Sequence, residues 1–121
     1  MFFRRKKKKI KESIEITDQN FDELILNADV PVLLDLWAPG CPPCTILSPI
    51  VDEIAGEFQG RALVGKVNVH QHLKISNLFK IKSIPTLIFI QKDEIAERFT
   101  GLIPKPNIVE ILEELIAERN A

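Results

Sequence analysis

Pro31-Val32-Leu33-Leu34-Asp35-Leu36-Trp37-Ala38-Pro39-Gly40-Cys41-Pro42-Pro43-Cys44 decides how this chain is read. Its first eight residues form a nearly continuous apolar run, the length of a central strand buried on both faces. Pro39-Gly40 stops the strand. Beyond Cys44, Leu47, Ile50, Val51, Ile54 and Phe58 recur at helical spacing, with Pro49 expected to kink the helix and Gly60 to close it. The two cysteines therefore lie where a buried strand hands over to a helix.

Working outward, Ser13-Ile14-Glu15-Ile16-Thr17 alternates as a half-buried strand does. Thr17 or Asp18 can cap a helix carrying Phe21, Leu24, Ile25 and Ala28 on one face. Arg61 to Val69 reads as a second core strand, followed by a short helix around His72 to Phe79. Pro85 to Gln91 reads as a third, turning at Lys92-Asp93 into a hairpin partner, Ile95 to Thr100. Gly101 ends that strand. Pro104 and Pro106 open a last helix with Ile108, Ile111, Leu112, Leu115 and Ile116 on one side. The order βαβαβαββα predicts an α/β fold, a central mixed sheet flanked by helices on both faces.

The chain has 121 residues, 45% hydrophobic and 27% charged, which suits one compact domain with a real core. Two cysteines make no disulfide framework, so the fold rests on that core. No run of 18 apolar residues offers a transmembrane helix. Tyr is absent and Trp occurs once, against a Tyr-rich recognition surface. The net charge of −1 hides an asymmetry: residues 1–11 hold seven of the sixteen Lys and Arg and no acid. Residues 12–121 are left with nine basic and seventeen acidic side chains, a net of −8. We read 1–11 as a basic, disordered, solvated tail and 12–121 as the domain. An acidic domain repels nucleic acid, and no nucleic-acid partner is expected. With Phe2 and Phe3 beside its basic run, the tail suits at most a weak contact with anionic lipid, ahead of a nucleic-acid arm. No apolar stretch follows the basic start, so no secretory signal is expected and the reading leans to the cytoplasm.

At a helix start, unpaired N–H groups and the helix dipole favour a thiolate on Cys41, the form that attacks disulfides. Cys44, one turn on, can reach the same sulfur and close the pair reversibly. Pro42 and Pro43 fit the first helical turn but remove both amide donors between the cysteines. Asp35 interrupts an apolar strand six residues before Cys41. Buried and unpaired, it would have a raised pKa and serve as a proton acceptor near Cys44. Alternatively it turns to solvent, or pairs with Lys66. Pro85 opens a core strand, where it cannot donate to the ladder; residue chemistry alone favours a trans Ile84–Pro85 bond.

Asp35 to Cys44 with Pro49, then Lys66-Val67-Asn68-Val69, Ser83-Ile84-Pro85-Thr86-Leu87 and Gly101, closely resembles the thioredoxin family from about Ser13 to the C-terminus. The resemblance implies a redox-active pair that reduces protein disulfides, with Cys41 the exposed nucleophile and Cys44 the resolving thiol. Asp35 would be the buried acid–base group, with Lys66 its neighbour. Pro85 would be cis and packed on the disulfide, with the Ile84 backbone pairing with an extended substrate. Trp37, Gly40, Pro42, Pro43 and Gly101 would belong to the substrate surface, with Pro49 kinking the helix. No cofactor beyond the disulfide is implied. The partners implied are disulfide-containing proteins and a thioredoxin reductase supplying electrons, and we expect a monomer. The sequence departs from the usual pattern at Pro42-Pro43 (usually Gly-Pro), Gly40 (usually Trp), Thr45 (commonly Lys) and His70 (commonly an acid).

Four other readings bear on the pair. A zinc site could draw on Cys41, Cys44, His70 and His72, but one CxxC lacks a second matched pair and His70-Gln71-His72 is too short a spacing. A non-catalytic adaptor would not need Cys41, Cys44, Asp35 and Pro85 together. A purely structural disulfide would close a loop too small to gain much chain entropy. Within the enzyme class, a more oxidising exchange or isomerase activity, or a specialised maturation factor, is the alternative.

Overall fold

The computed structural model describes residues 13–121. The basic segment 1–11, read above as a solvated tail, lies outside the described residues. Strand β1 (Ile14–Glu15) leads through a short helical turn of wide π pitch (Asp22–Leu26) to β2 (Val32–Trp37). Helix α1 (Pro42–Glu57), β3 (Leu63–Asn68), α2 (Leu73–Leu78), β4 (Thr86–Gln91), β5 (Glu94–Thr100) and α3 (Lys105–Asn120) follow. The five strands form one sheet in the order β1-β3-β2-β4-β5. Both β1 and β2 run parallel to β3, while β4 is antiparallel to β2 and β5. The expected element order and mixed sheet are both present.

The central strand shows why its sequence is apolar throughout. Alternate residues Val32, Leu34 and Leu36 enter a cluster with Phe21, Ile25, Ile75 and Phe79. Leu33 points the other way, into a cluster with Leu47, Val51, Ile54, Phe58, Ile108 and Leu112. Both faces are covered, so period-2 alternation disappears. Truncating a leucine such as Leu34 to Ala here would cost about 2–5 kcal/mol. Asp35 follows Leu33 on the α1 and α3 side of the sheet, where an apolar residue would otherwise sit.

The first helix differs from its sequence reading. Its N-cap, Phe21, makes no side-chain cap bond, and Thr17 caps instead the turn that leads into it: Thr17 Oγ1 accepts from the amides of Gln19 and Asn20 at 3.2 and 3.1 Å. Asn20 Oδ1 in turn accepts from the Thr17 amide at 2.8 Å. Phe21 and Ile25 are buried, but the segment widens into one π turn and leaves Leu26 exposed. Asp18 leaves this helix altogether and accepts the amides of Lys74 and Ile75, at the start of α2. The N-cap residue of α2, His72, makes no side-chain cap of its own. Strand β1 is shorter than expected and lies tightly on β3. Ile14 pairs with Gly65, where a Cβ would meet Ile16 Cγ1 at 2.5 Å. Helix α1 runs through Pro49 as one element. Lys92 and Asp93, both at positive φ, form the expected two-residue hairpin turn between β4 and β5.

Candidate active site: a dithiol pair at a helix start

Trp37 ends β2, and the chain turns through Ala38, Pro39 and Gly40, the last at φ +76°. A residue before proline avoids helical dihedrals. Cys41 accordingly takes φ −116°, ψ 101° and becomes the N-cap of α1. Pro42 and Pro43 supply the first helical turn. Neither has an N–H, so the next available donor is the Cys44 amide, which lies 3.3 Å from Cys41 Sγ and donates to it. The Cys41 carbonyl accepts from the Thr45 amide at 3.1 Å, the first full helical bond.

Cys41 and Cys44 are disulfide-bonded, with Cα atoms 5.2 Å apart. Cys41 is half-buried at the protein surface, and Cys44 is only 3% exposed. The outer sulfur is therefore the one open to a partner molecule. From Leu36 to Val51 the chain carries no Asp, Glu, Lys, Arg or His, so the segment flanking Cys41 exposes only uncharged residues, Pro39, Gly40, Pro42, Pro43, Thr45 and Ile46.

Asp35 is 1% exposed, which removes the solvent-facing alternative. Neither carboxylate oxygen has a hydrogen-bond partner among the described residues. Burial pushes its pKa from 3.8 up to about 7; the Lys66 charge works downward against this, and the Asp52 charge adds to it. Lys66 is the register partner of Asp35 across β2 and β3, yet it does not pair with it. Its Nζ lies 3.0 Å from Asp52 Oδ1 and also donates to the Ser48 hydroxyl. Asp52 in turn accepts from the Ser13 hydroxyl at 2.9 Å and the Ser13 amide at 3.3 Å. Burial acts upward on the Asp52 carboxyl, but the hydrogen bonds from Lys66 and Ser13 outweigh it and hold the group below its ordinary value.

Asp52, Ser48 and Ser13 were not among the sequence candidates. One signal was available: Cys44, Ser48 and Asp52 stand at i, i+4 and i+8, one polar stripe along a single helix face. Cys44, Ser48, Asp52 and Lys66 border a cleft of about 440 Å³ with Trp37 and Gly40. Pro85 and Gly101 stand at the same end of the sheet, since Thr86 pairs with both Leu36 and Thr100. The Ile84–Pro85 bond is cis, as the family resemblance implied and residue chemistry alone did not. Pro85 is buried, and its carbonyl accepts the Gly101 amide at 2.8 Å. Gly101 sits at φ +92°, a left-handed conformation that favours glycine. Ile84 borders a separate groove of about 390 Å³ with Val69, His70 and Leu73. The four ligands of the zinc reading do not converge: among the described residues no three His, Cys, Asp or Glu gather as a metal site. His72 Nδ1 instead accepts the Asp18 amide at 3.3 Å.

A reversible cysteine pair at a helix start, set on a mixed sheet with helices on both faces, defines a dithiol–disulfide oxidoreductase. Such a protein works through its own disulfide and needs no further cofactor. Residues 12–114 match the family model described as Thioredoxin. The chain is 39% identical to thioredoxin 2 of Chlorobaculum tepidum over 102 residues, covering 84% of this chain and 94% of that protein. It is 35% identical to thioredoxin of Haemophilus influenzae over 105 residues, 87% of this chain and 98% of that protein. It is also 34% identical to the chloroplastic M-type thioredoxin of Spinacia oleracea, covering 89% of this chain and 60% of that protein. The chain belongs to the thioredoxin family, and its activity is thiol–disulfide exchange. The family implies disulfide-containing proteins as substrates and a thioredoxin reductase as the kind of partner that restores the dithiol.

Proposed function

We propose that this protein works in the reducing direction, with named roles for its site residues. The Cys41 thiolate attacks one sulfur of a substrate disulfide. That S–S bond breaks, a Cys41–substrate disulfide forms, and the departing substrate thiolate takes a proton from solvent. Cys44 then gives its proton to the Asp35 carboxylate and attacks Cys41 Sγ. The second substrate thiolate leaves and is protonated. The substrate has gained two electrons, and the Cys41–Cys44 disulfide carries the oxidation. The observation that carries this order is the difference in exposure between the half-buried Cys41 and the enclosed Cys44.

Lys66 neighbours the acid–base group in this scheme. The Ile84 backbone pairs with an extended segment of the substrate, and Pro85 packs against the disulfide. Trp37, Gly40, Pro42, Pro43 and Gly101 form the substrate surface. Support comes from Trp37 and Gly40 on the cleft rim beside Cys44, from Gly101 at the same end of the sheet, and from the exposure of Pro42 and Pro43 next to Cys41. We place the protein in the cytoplasm as a monomer that passes electrons from a reductase to its substrates, with residues 1–11 a separate basic tail making at most weak lipid contact. In support, no described helix is long and apolar enough to cross a membrane.

Reduction of insulin by dithiothreitol tests the activity. The protein should accelerate it well above the thiol alone; no acceleration would favour an adaptor. The equilibrium potential of the Cys41–Cys44 couple against glutathione tests the direction: a potential near that of strong oxidants would reverse it.

A further inference from the structure

Lys66 stands beside Asp35 in register, on the same face of the sheet, and a lysine side chain is long enough to cover a neighbouring carboxylate. It turns to α1 instead. Its ammonium lies 3.0 Å from Asp52 Oδ1 and donates to Ser48, on the wall of the cleft that Cys44 also borders. Asp52 is itself anchored, because the Ser13 hydroxyl and amide both donate to the same oxygen. Asp35 is left buried with both oxygens unpartnered among the described residues.

We propose that Asp52 is a positioning residue: seated by Ser13 and assisted by Ser48, it draws Lys66 away from Asp35 and keeps the Asp35 carboxyl free to exchange a proton with Cys44. The inference rests on the role given to Asp35 above and adds the group that sets its surroundings. The physical need is direct. A buried carboxylate in contact with an ammonium is held ionised as an ion pair and is a poor proton acceptor near neutrality. A carboxyl left alone in the same place is not. The groups facing Asp35 are few. Lys66 comes from β3, while Asp52 and Cys44 come from α1. Leu87 is its partner on β4, and the residues that α3 buries in the cluster on this side of the sheet, Ile108, Leu112 and Leu115, are apolar. The Lys66 and Asp52 charges act on Asp35 in opposite directions. The Lys66 charge is the stronger of the two, and its capture by Asp52 keeps that downward pull smaller than the upward effect of burial.

The test is the Asp35 carboxyl titration, followed by carbon NMR on the intact oxidised protein. D52N should move the midpoint downward, since the anion is lost and Lys66 is released. D52E, which keeps the charge, should leave it near the wild-type value. S48A, which removes only the second Lys66 partner, should move it the same way by less. K66M should move it upward, and in the K66M background the D52N shift should shrink to the direct effect of the lost anion. An unchanged or raised midpoint in D52N, or an equal fall with and without Lys66, would overturn the proposal. Insulin reduction by D35N reports separately on the acid–base role: undiminished turnover there would refute that role, whatever Asp52 does to the midpoint.

Discussion

Asp18 Oδ1 accepts the amide of Ile75 at 3.1 Å, and its other oxygen accepts the amide of Lys74 at 3.2 Å. The acceptor and its donors are separated by more than fifty residues. The turn after β1 thus caps a helix it does not precede, and the return contact from the Asp18 amide to His72 Nδ1 closes the arrangement. Because α2 has no cap of its own, D18A should cost about 1 kcal/mol, the typical value of an N-cap. D18N, which keeps an acceptor, should lose less. Urea denaturation measures the loss, and faster hydrogen exchange at Lys74 and Ile75 localises it. An unchanged midpoint in D18A would mean that the cap contributes nothing.

The raised pKa of Asp35 makes stability depend on pH with a definite sign. The folded state holds its proton up to about pH 7, whereas the unfolded chain releases it near 3.8. Its contribution is complete below 3.8 and is lost as the pH rises to about 7. For the rise from 3.8 to about 7, the loss is about 4 kcal/mol at 1.4 kcal/mol per unit. D35N should flatten this part of the profile and be more stable than wild type above pH 7. Urea melts of the oxidised protein from pH 4 to 8 check it; a wild-type profile that rises across this range would contradict the burial argument.

The exposure difference within the pair predicts a trapping pattern. C44S should accumulate a covalent adduct between Cys41 and a disulfide substrate, visible by mass spectrometry without reductant. C41S should form no such adduct at a comparable rate and should not turn over. Equal adduct formation by the two variants would mean that either sulfur can attack.

Gly65 allows β1 to lie on β3, because a methyl there would stand 2.5 Å from Ile16 Cγ1 and 3.3 Å from the Ile14 carbonyl oxygen. G65A should cost about 1–3 kcal/mol, the usual range for overpacking. Since Ser13, the residue just before this strand, holds Asp52, exchange of the Ser13 and Ile16 amides should also rise. A variant as stable as wild type would show that β1 moves aside freely.

Much of the architecture was legible because the chain punctuates itself clearly. The run from Val32 to Ala38 is apolar on both parities, and the helices carry their periods plainly. Asp35 was legible as a charge with nowhere polar to go. Other features depend on tertiary partners. A 3.6-residue pattern from Phe21 to Ala28 does not reveal a π turn. The role of Asp18 depends on a helix that arrives much later. The Ile84–Pro85 isomer follows from no residue type, and only the family likeness pointed to cis. Lys66 could have paired with either of two carboxylates; only the placement of α1, with Ser48 and Asp52 on one stripe, settles that it takes Asp52.

From Leu36 to Val51 this protein presents no fixed charge, although the rest of the domain is acidic. The charges nearest the site, Asp52 and Lys66 on the cleft wall, are paired with each other, and the acidic field of the rest of the domain is screened over roughly 10 Å at 0.1 M salt. Ionic strength will alter how often a charged partner arrives more than how it sits against the uncharged segment that carries Cys41.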